Sequence, residues 1–361
     1  MRSPSRVIVA AAGGGKTTRI VEEALADRDK RAAILTYTNN NVGELTGKLY
    51  ELNGSIPPHI EVQSWFRFLL REMTRPYRAA LHPHRIDGLA WVPGRSDIYA
   101  RAKDVGRFYF ADRRAIYSDK IARFACLCDE VTGGAVMRRL RDRFDQIFID
   151  EVQDLAGWDL DVLELILRTG IRLTVVGDHR QATFRTNHAN RHAGFAGVNI
   201  VKKFTEWEDQ KLAEITFSLD SHRCQQSIVD LADSFFPNEP KTVSRNDCRT
   251  GHDGVFALSS ALAPAYIAKY QPQVLRLSRS TDCGDAYALN FGDAKGLTFD
   301  RVLIFPHKAG VEWLQSGNFA KVSGSASKLY VGLTRARNSV AFVLDGSCRV
   351  EGITTLLSLD E

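Results

Sequence analysis

Two stretches carry residues typed and spaced for work on phosphates. At 147–151 the apolar run Ile147-Phe148-Ile149 leads straight into Asp150 and Glu151. A buried strand that ends this way presents two carboxylates to a crevice, where one can hold a divalent cation and the other can take a proton from water. At 10–18, three alanines and Gly13, Gly14 and Gly15 precede Lys16, Thr17 and Thr18. Such a loop lets backbone N–H groups close around a triphosphate, with Lys16 reaching the β/γ-phosphates and the Thr17 hydroxyl free to ligate Mg²⁺. Either stretch alone also fits a blander structure, a solvated acidic turn or a glycine-rich bend.

The flanking elements decide how these residues can be placed. Val7-Ile8-Val9 predicts a strand before the glycine loop, and a helix runs on from it to about Leu25. Further strands are predicted at 32–36, 60–62 and 173–176, with helices at 42–52, from about Ser64, at 136–144 and at 160–167. From 215 onward, strands at 215–219, 274–277, 302–305 and 340–344 alternate with helices at 226–235, 263–270 and 327–334. Strands alternating with helices argue for parallel sheets whose C-terminal strand tips carry the chemistry. The expected class is α/β, with two sheet domains: 1–66 joined to 142–208, then 209–361.

Between the halves of the first domain lies a basic segment. Residues 67–143 hold 17 Lys and Arg against 9 Asp and Glu, whereas the whole chain is only +5. Arginines interleaved with Tyr77, Trp91, Tyr99, Phe108, Tyr109, Phe110 and Tyr117 suit phosphate contacts and base stacking, or a solvated basic face over an aromatic core. No apolar run is long enough to span a bilayer and no secretory leader is expected, so the chain reads as cytoplasmic, without membrane partners. Six cysteines without CxxC or Cys/His metal spacing read as buried, reduced thiols.

Taken in order, the motifs resemble those of superfamily 1 helicases of the UvrD/Rep type. Ala10–Thr18 resembles their motif I, Leu35–Asn40 motif Ia, and Ile149–Asp154 the Asp-Glu box with Val152 in place of alanine. Val176–Gln181 is similar to motif III, Leu219–Arg223 to motif IV, Lys295–Asp300 to motif V and Tyr330–Arg337 to motif VI. The resemblance implies two RecA-like parallel-sheet domains, ATP and Mg²⁺, and a single-stranded or tailed duplex DNA substrate with 3′→5′ movement. It assigns Thr17 and Asp150 to the metal, Glu151 to the general base, Gln181 to sensing the γ-phosphate, and Arg223 and Arg335 to arginine fingers. Lys16 completes the catalytic set. Gly13, Gly14, Gly15, Thr18, His222 and Gly296 would join it around the nucleotide, and Thr38, Asn39, Phe66 and Phe184 would contact the strand.

The departures are informative too. With six residues before Val7, the upstream glutamine motif that reads adenine is expected to be missing, and His222 stands where a stacking tyrosine is usual. Thr298 replaces a glutamate in motif V, and Thr186 a second base-stacking aromatic after motif III. Only 71 residues separate Arg223 from Lys295, so the insertion known as domain 2B is expected to be absent, while 67–141 forms a mostly helical insertion equivalent to domain 1B. Two functions follow as expectations: a translocating helicase, or an ATP-gated regulatory subunit of a nuclease-containing complex. For the second, OLD-type nucleases of anti-phage systems are the analogy. Asp293-Ala294-Lys295 has nuclease-like spacing but lies inside motif V, which favours a structural or strand-contacting role.

Overall fold

The computed structural model describes residues 4–359 except Arg185, Asn187 and His188. The outermost residues of the expected domains, 1–3 and 360–361, lie outside the described part. Two compact units emerge, the first built on residues up to Phe217 and the second on Ser218 onward. Two short pieces, Ala10–Gly15 and Arg180–Thr183, are compact with the second unit although their flanking chain belongs to the first. Each unit contains one six-stranded parallel sheet among α-helices, so the expected α/β class with two RecA-like sheets holds.

The first unit contributes β1 (Arg6–Ala10), β2 (Ala32–Thr36), β3 (Ile60–Ser64), β4 (Gly88–Ala90), β5 (Ala115–Tyr117), β6 (Gln146–Ile149), β7 (Arg172–Gly177) and β8 (Glu214–Ser218). The sheet order is β3-β2-β6-β7-β1-β8, with β4 and β5 paired separately. Central strands β2 and β6 are buried along their whole length, as expected for apolar runs covered on both faces. Val9 sits beside Gly177, Ile149 beside Val175, and Leu35 beside Ile149. Because the strands are parallel and in this register, their C-terminal tips share one edge. The glycine loop, Tyr37-Thr38, Trp65-Phe66, Asp150-Glu151 and Asp178 therefore all leave the sheet on the same side.

The arginine-rich segment does not stand apart from this sheet. Tyr109, Phe110, Ile116, Phe124 and Leu140 belong to the same buried cluster as Leu35, Ile147 and Ile149. Its helices are Ile121–Val131 and Ala135–Arg143, preceded by a π-helical turn at Leu69–Thr74. Part of its basicity is structural. Glu72, whose side chain is fully buried, faces Arg139 at 2.8 Å, Arg71 at 3.2 Å and Arg143 at 3.4 Å.

The second unit carries β9 (Asp220–Ser221), β10 (Val243–Ser244), β11 (Gly254–Leu258), β12 (Gln273–Arg276), β13 (Ala288–Asn290), β14 (Phe299–Phe305), β15 (Ala336–Val343) and β16 (Thr354–Thr355). Its sheet order is β13-β12-β14-β15-β11-β16. Here the motif residues precede the strands: Lys295–Thr298 lead into β14 and Thr334-Arg335 into β15, and the two strands pair from Phe299 and Ala336 onward. All six cysteines are free. Cys248 is exposed, however, which corrects the expectation that every thiol is buried, because it lies in the irregular stretch before β11. Among the described residues no helix is long and apolar enough to cross a membrane.

Removing the Glu72 carboxylate would leave Arg139 without an acid beside a cavity, with Arg71 and Arg143 held by Glu61 alone at 3.1 and 2.5 Å. Glu72→Ala is expected to destabilise the first unit by about 2–4 kcal/mol in urea denaturation, with Glu72→Gln intermediate. Equal stability of both variants and the parent would refute this role.

Candidate ATP and strand site

The phosphate-binding half is assembled from the edge where β1, β6 and β7 end. Lys16, Thr17 and Thr18 open the helix Lys16–Ala26, so the positive end of the helix lies at the loop. Thr17 Oγ1 donates to Asp150 Oδ2 at 2.7 Å, joining the two stretches that the sequence singled out. Asp150 is 4% exposed, and its backbone N–H is held by the Leu35 carbonyl at 2.8 Å. Burial, reinforced by the neighbouring Glu151 charge, pushes the Asp150 carboxyl up to about 6, against the pull of the Thr17 hydroxyl and Lys16. A hard, oxygen-seeking cation fits this donor pair. Mg²⁺ needs only one or two protein oxygens when phosphates and water complete its shell.

Glu151 is held in an unusual way. Its φ is +58°, left-handed for a residue with a Cβ, a conformation that costs roughly 1–2 kcal/mol and tends to mark functional turns. Its N–H donates to Asp150 Oδ1 at 2.9 Å. The Gln153 amide spans two motifs: its Nε2 donates to the Glu151 carboxylate, and its Oε1 accepts from the Asp178 N–H at 3.1 Å. The backbone at Gly177 passes so close that an added Cβ would lie 2.3 Å from Gln153 Oε1 and 2.9 Å from Val152. Any Cβ there must push the Gln153 amide and the Val152 side chain aside.

In the second unit, the loop Ala10–Gly15 is gripped by the chain around β9. Ser221 Oγ donates to the Ala12 carbonyl at 2.7 Å, and the His222 N–H to the Gly13 carbonyl at 3.0 Å. Gly13 (φ +74°) and Gly15 (φ +69°) take conformations that favour glycine, and a Cβ on Gly13 would come within 2.5 Å of Arg223 Cβ. Arg223 Nη1 donates to the Thr334 carbonyl at 3.1 Å. Arg335 is fully buried and donates to the carbonyls of Val331 and Leu297 and, at 3.1 Å, to Gln181 Oε1. The candidate γ-phosphate sensor, Gln181, and one arginine-finger candidate are thus hydrogen-bonded to each other. His222 and Gly296 are exposed.

Several residues matter here that sequence reasoning did not single out. Arg180 forms a buried ion pair with Asp233 at 2.8 Å and lies over the Tyr330 ring; nothing local in the sequence links 180 to 233. Thr186, where relatives would carry an aromatic, turns inward. It donates to Asp159 Oδ2 and accepts from the Ala156 N–H at 3.1 Å, while Trp65 Nε1 donates to the other Asp159 oxygen at 2.8 Å. Burial lifts the Asp159 carboxyl to about 6.

The strand-contact candidates divide. Thr38 caps the helix Asn39–Asn53 by accepting from the Asn41 N–H at 3.1 Å, and Asn39 is exposed. Phe184 is 39% exposed. Phe66 is buried between Tyr37 and Trp91, with the Trp91 ring edge-on at 4.9 Å and itself 66% exposed. The ring offered to solvent at that place is Trp91.

Comparison with known proteins agrees with these motifs. Residues 110–194 match the family model for the UvrD/REP helicase N-terminal domain. That similarity covers 85 of the 361 residues and agrees with the UvrD-type resemblance of the motifs. An ATP-dependent helicase/nuclease subunit from Carboxydothermus hydrogenoformans is 28% identical over 92 residues, 26% of this chain and 7% of that protein. The DNA replication ATP-dependent helicase/nuclease DNA2 of Saccharomyces cerevisiae is 25% identical over 269 residues, 73% of this chain and 15% of that protein. The chain therefore spans only a small part of the curated relatives it matches. Among solved structures, the arterivirus nonstructural protein 10 helicase aligns with a TM-score of 0.48 at 12% identity, over 94% of this chain and 59% of that one. Its complex with DNA aligns at 0.46 and 13%.

Two outcomes test this geometry. Gly177→Ala must displace the Gln153 amide, and a loss of about 1–3 kcal/mol is expected in urea denaturation; an unchanged midpoint would contradict the close approach. For Asp150, the folded state favours the protonated acid, so ionised Asp150 costs stability above its folded value of about 6. Below the ordinary carboxylate value of 3.8 both folded and unfolded states are protonated and the cost vanishes. Asp150→Asn should therefore raise the nucleotide-free melting temperature at pH 8 and leave it unchanged near pH 3.5. A gain of equal size at both pH values would exclude burial of the charge as its cause.

Proposed function

We propose that this chain hydrolyses ATP with Mg²⁺ and uses the energy to move along single-stranded DNA in the 3′→5′ direction, opening a tailed duplex. The observation that carries the reading is the Thr17–Asp150 hydrogen bond beside a Glu151 carboxylate that Gln153 orients. That arrangement puts a metal-ligand pair and an acceptor for a water proton on one sheet edge. Mg²⁺, held by Thr17 and Asp150, would supply charge neutralisation for the β- and γ-phosphates. Lys16 and the N–H groups of Gly13, Gly14 and Gly15 bind the phosphates. Glu151 accepts the proton of the attacking water, and Gln181, Arg223 and Arg335 respond to charge at the γ-phosphate; a finger of this kind contributes on the order of 10³–10⁵ in rate. Thr18, His222 and Gly296 complete the nucleotide set, and Thr38, Asn39 and Phe184 touch the strand.

A second reading rests on a separate observation. The two curated relatives named above combine helicase and nuclease in their names, and this chain spans 7% and 15% of them. In it, the chain is the ATP-gated part of a cytoplasmic nuclease-containing assembly, with the analogy to OLD-type anti-phage systems, and unwinds little alone. The short link of 71 residues between motifs IV and V supports this too.

ATP hydrolysis measured with and without single-stranded DNA, followed by strand displacement on 3′- and 5′-tailed duplexes, separates the readings. Stimulated hydrolysis with displacement of the 3′-tailed substrate is expected from the motor. Stimulation without displacement supports the ATP-gated role, and absence of hydrolysis defeats both. Glu151→Gln should lower turnover by about 10²–10⁴ while retaining ATP binding, whereas Lys16→Ala should lose both. Normal turnover in the Glu151 variant would remove it as the base.

A further inference from the structure

A cavity of about 320 Å³ lies in the first unit, away from the Thr17–Asp150 pair in sequence and composition. One wall comes from the arginine-rich segment, with Arg95, Phe108, Lys120 and Arg123, and the other from Trp158 and the chain at Ala189–Arg191. The cavity therefore joins two stretches that the sequence marks independently for strand contact: the basic insertion, and the chain five residues beyond Phe184.

Its charge is unbalanced. Among the described residues neither Arg95 nor Arg123 has a carboxylate partner, and Arg123 instead lies over the rings of Phe108 at 4.9 Å and Trp158 at 5.1 Å. Four cations, Arg95, Lys120, Arg123 and Arg191, line the cavity with two acids, of which Asp97 faces Arg107 at 3.3 Å and Asp119, still charged, is turned to Ser96 N–H and Oγ at 3.0 and 2.6 Å. Arg191 is paired with Asp161, so it contributes shape more than free charge. The wall is firm as well. Lys120 Nζ donates to the Ser96 carbonyl at 3.0 Å, which fixes the turn that presents Arg95.

Guanidinium groups without a carboxylate partner, in a space of nucleotide size, match the chemistry of a nucleotide's phosphate. The Phe108 ring is covered by Lys120 at 4.0 Å as well as Arg123, and the Trp158 ring by Arg191 at 4.4 Å as well as Arg123, so the phosphate is the part recognised. We infer that this cavity binds one nucleotide of a single DNA strand, through its phosphate on Arg95 and Arg123, as a contact additional to those at the strand tips. The inference rests on the single-strand reading given above and extends it to a second place on the first unit.

The test is fluorescence anisotropy of a labelled oligothymidylate of about twenty nucleotides against the full chain at several salt concentrations. The parent is compared with Arg95→Glu and Arg123→Gln. Each variant should bind roughly tenfold more weakly, and each lost phosphate contact should make the log-affinity against log-salt slope shallower by about 0.7. ATP hydrolysis without DNA should be unchanged, which separates the effect from misfolding. Arg95 is exposed, so its variant carries the test if Arg123→Gln is unstable. Parent-like affinity and slope in Arg95→Glu, with a parent that binds, would overturn this inference alone. A parent that does not bind the oligomer would overturn the single-strand reading with it. Displacement of the oligomer from the parent but not from Arg95→Glu by millimolar inorganic phosphate at fixed ionic strength is expected, because free phosphate competes for the same guanidinium groups.

Discussion

The hydrogen bond from Thr17 to Asp150 is the contact on which the first unit's chemistry depends. It joins a helix N-terminus to a strand tip 133 positions away in the chain, and it forms only because β7 lies between β1 and β6 in a parallel sheet. A buried carboxylate is costly, and the Thr17 hydroxyl and Lys16 offset only part of that cost for Asp150. The left-handed backbone at Glu151 is strain held at the same spot.

The second unit reverses the geometry. Its motif residues enter their strands rather than leave them, so Arg335 and Leu297 meet at the N-terminal edge of β14 and β15. Neutral oxygens of Val331, Leu297 and Gln181 hold the Arg335 guanidinium in a fixed plane. A planar fork preset in this way loses little freedom when it meets a phosphate. The same unit anchors Arg180 through Asp233, so the motif III turn is held on both of its sides by buried polar contacts.

Much of this was legible because it is local. An apolar run before paired acids, or glycines before lysine and threonine, fixes strand, loop and helix within a dozen residues, and the helix at 263–270 fell where Pro264 and its apolar spacing put it. Non-local choices were not legible. Glu214–Ser218 reads as a strand, but its half-exposed alternation would suit the edge of either sheet; it joins the first, beside β1. Strand β11 follows a Pro/Asn/Gly-rich stretch, and the helices Ile200–Asp209 and Lys308–Ser316, although amphipathic, were not among the expected elements. Phe66 illustrates the limit at the site: an aromatic type reveals affinity for bases or for a core, and only the packing of Tyr37 and Trp91 against it decides which.

The fit of Gly177 against Gln153 makes two separately written motifs a single object. A larger residue at 177 pushes the Gln153 amide aside, and shortening 153 releases both Glu151 and the Asp178 backbone. The two positions are therefore energetically coupled, and the effects of changing both do not add.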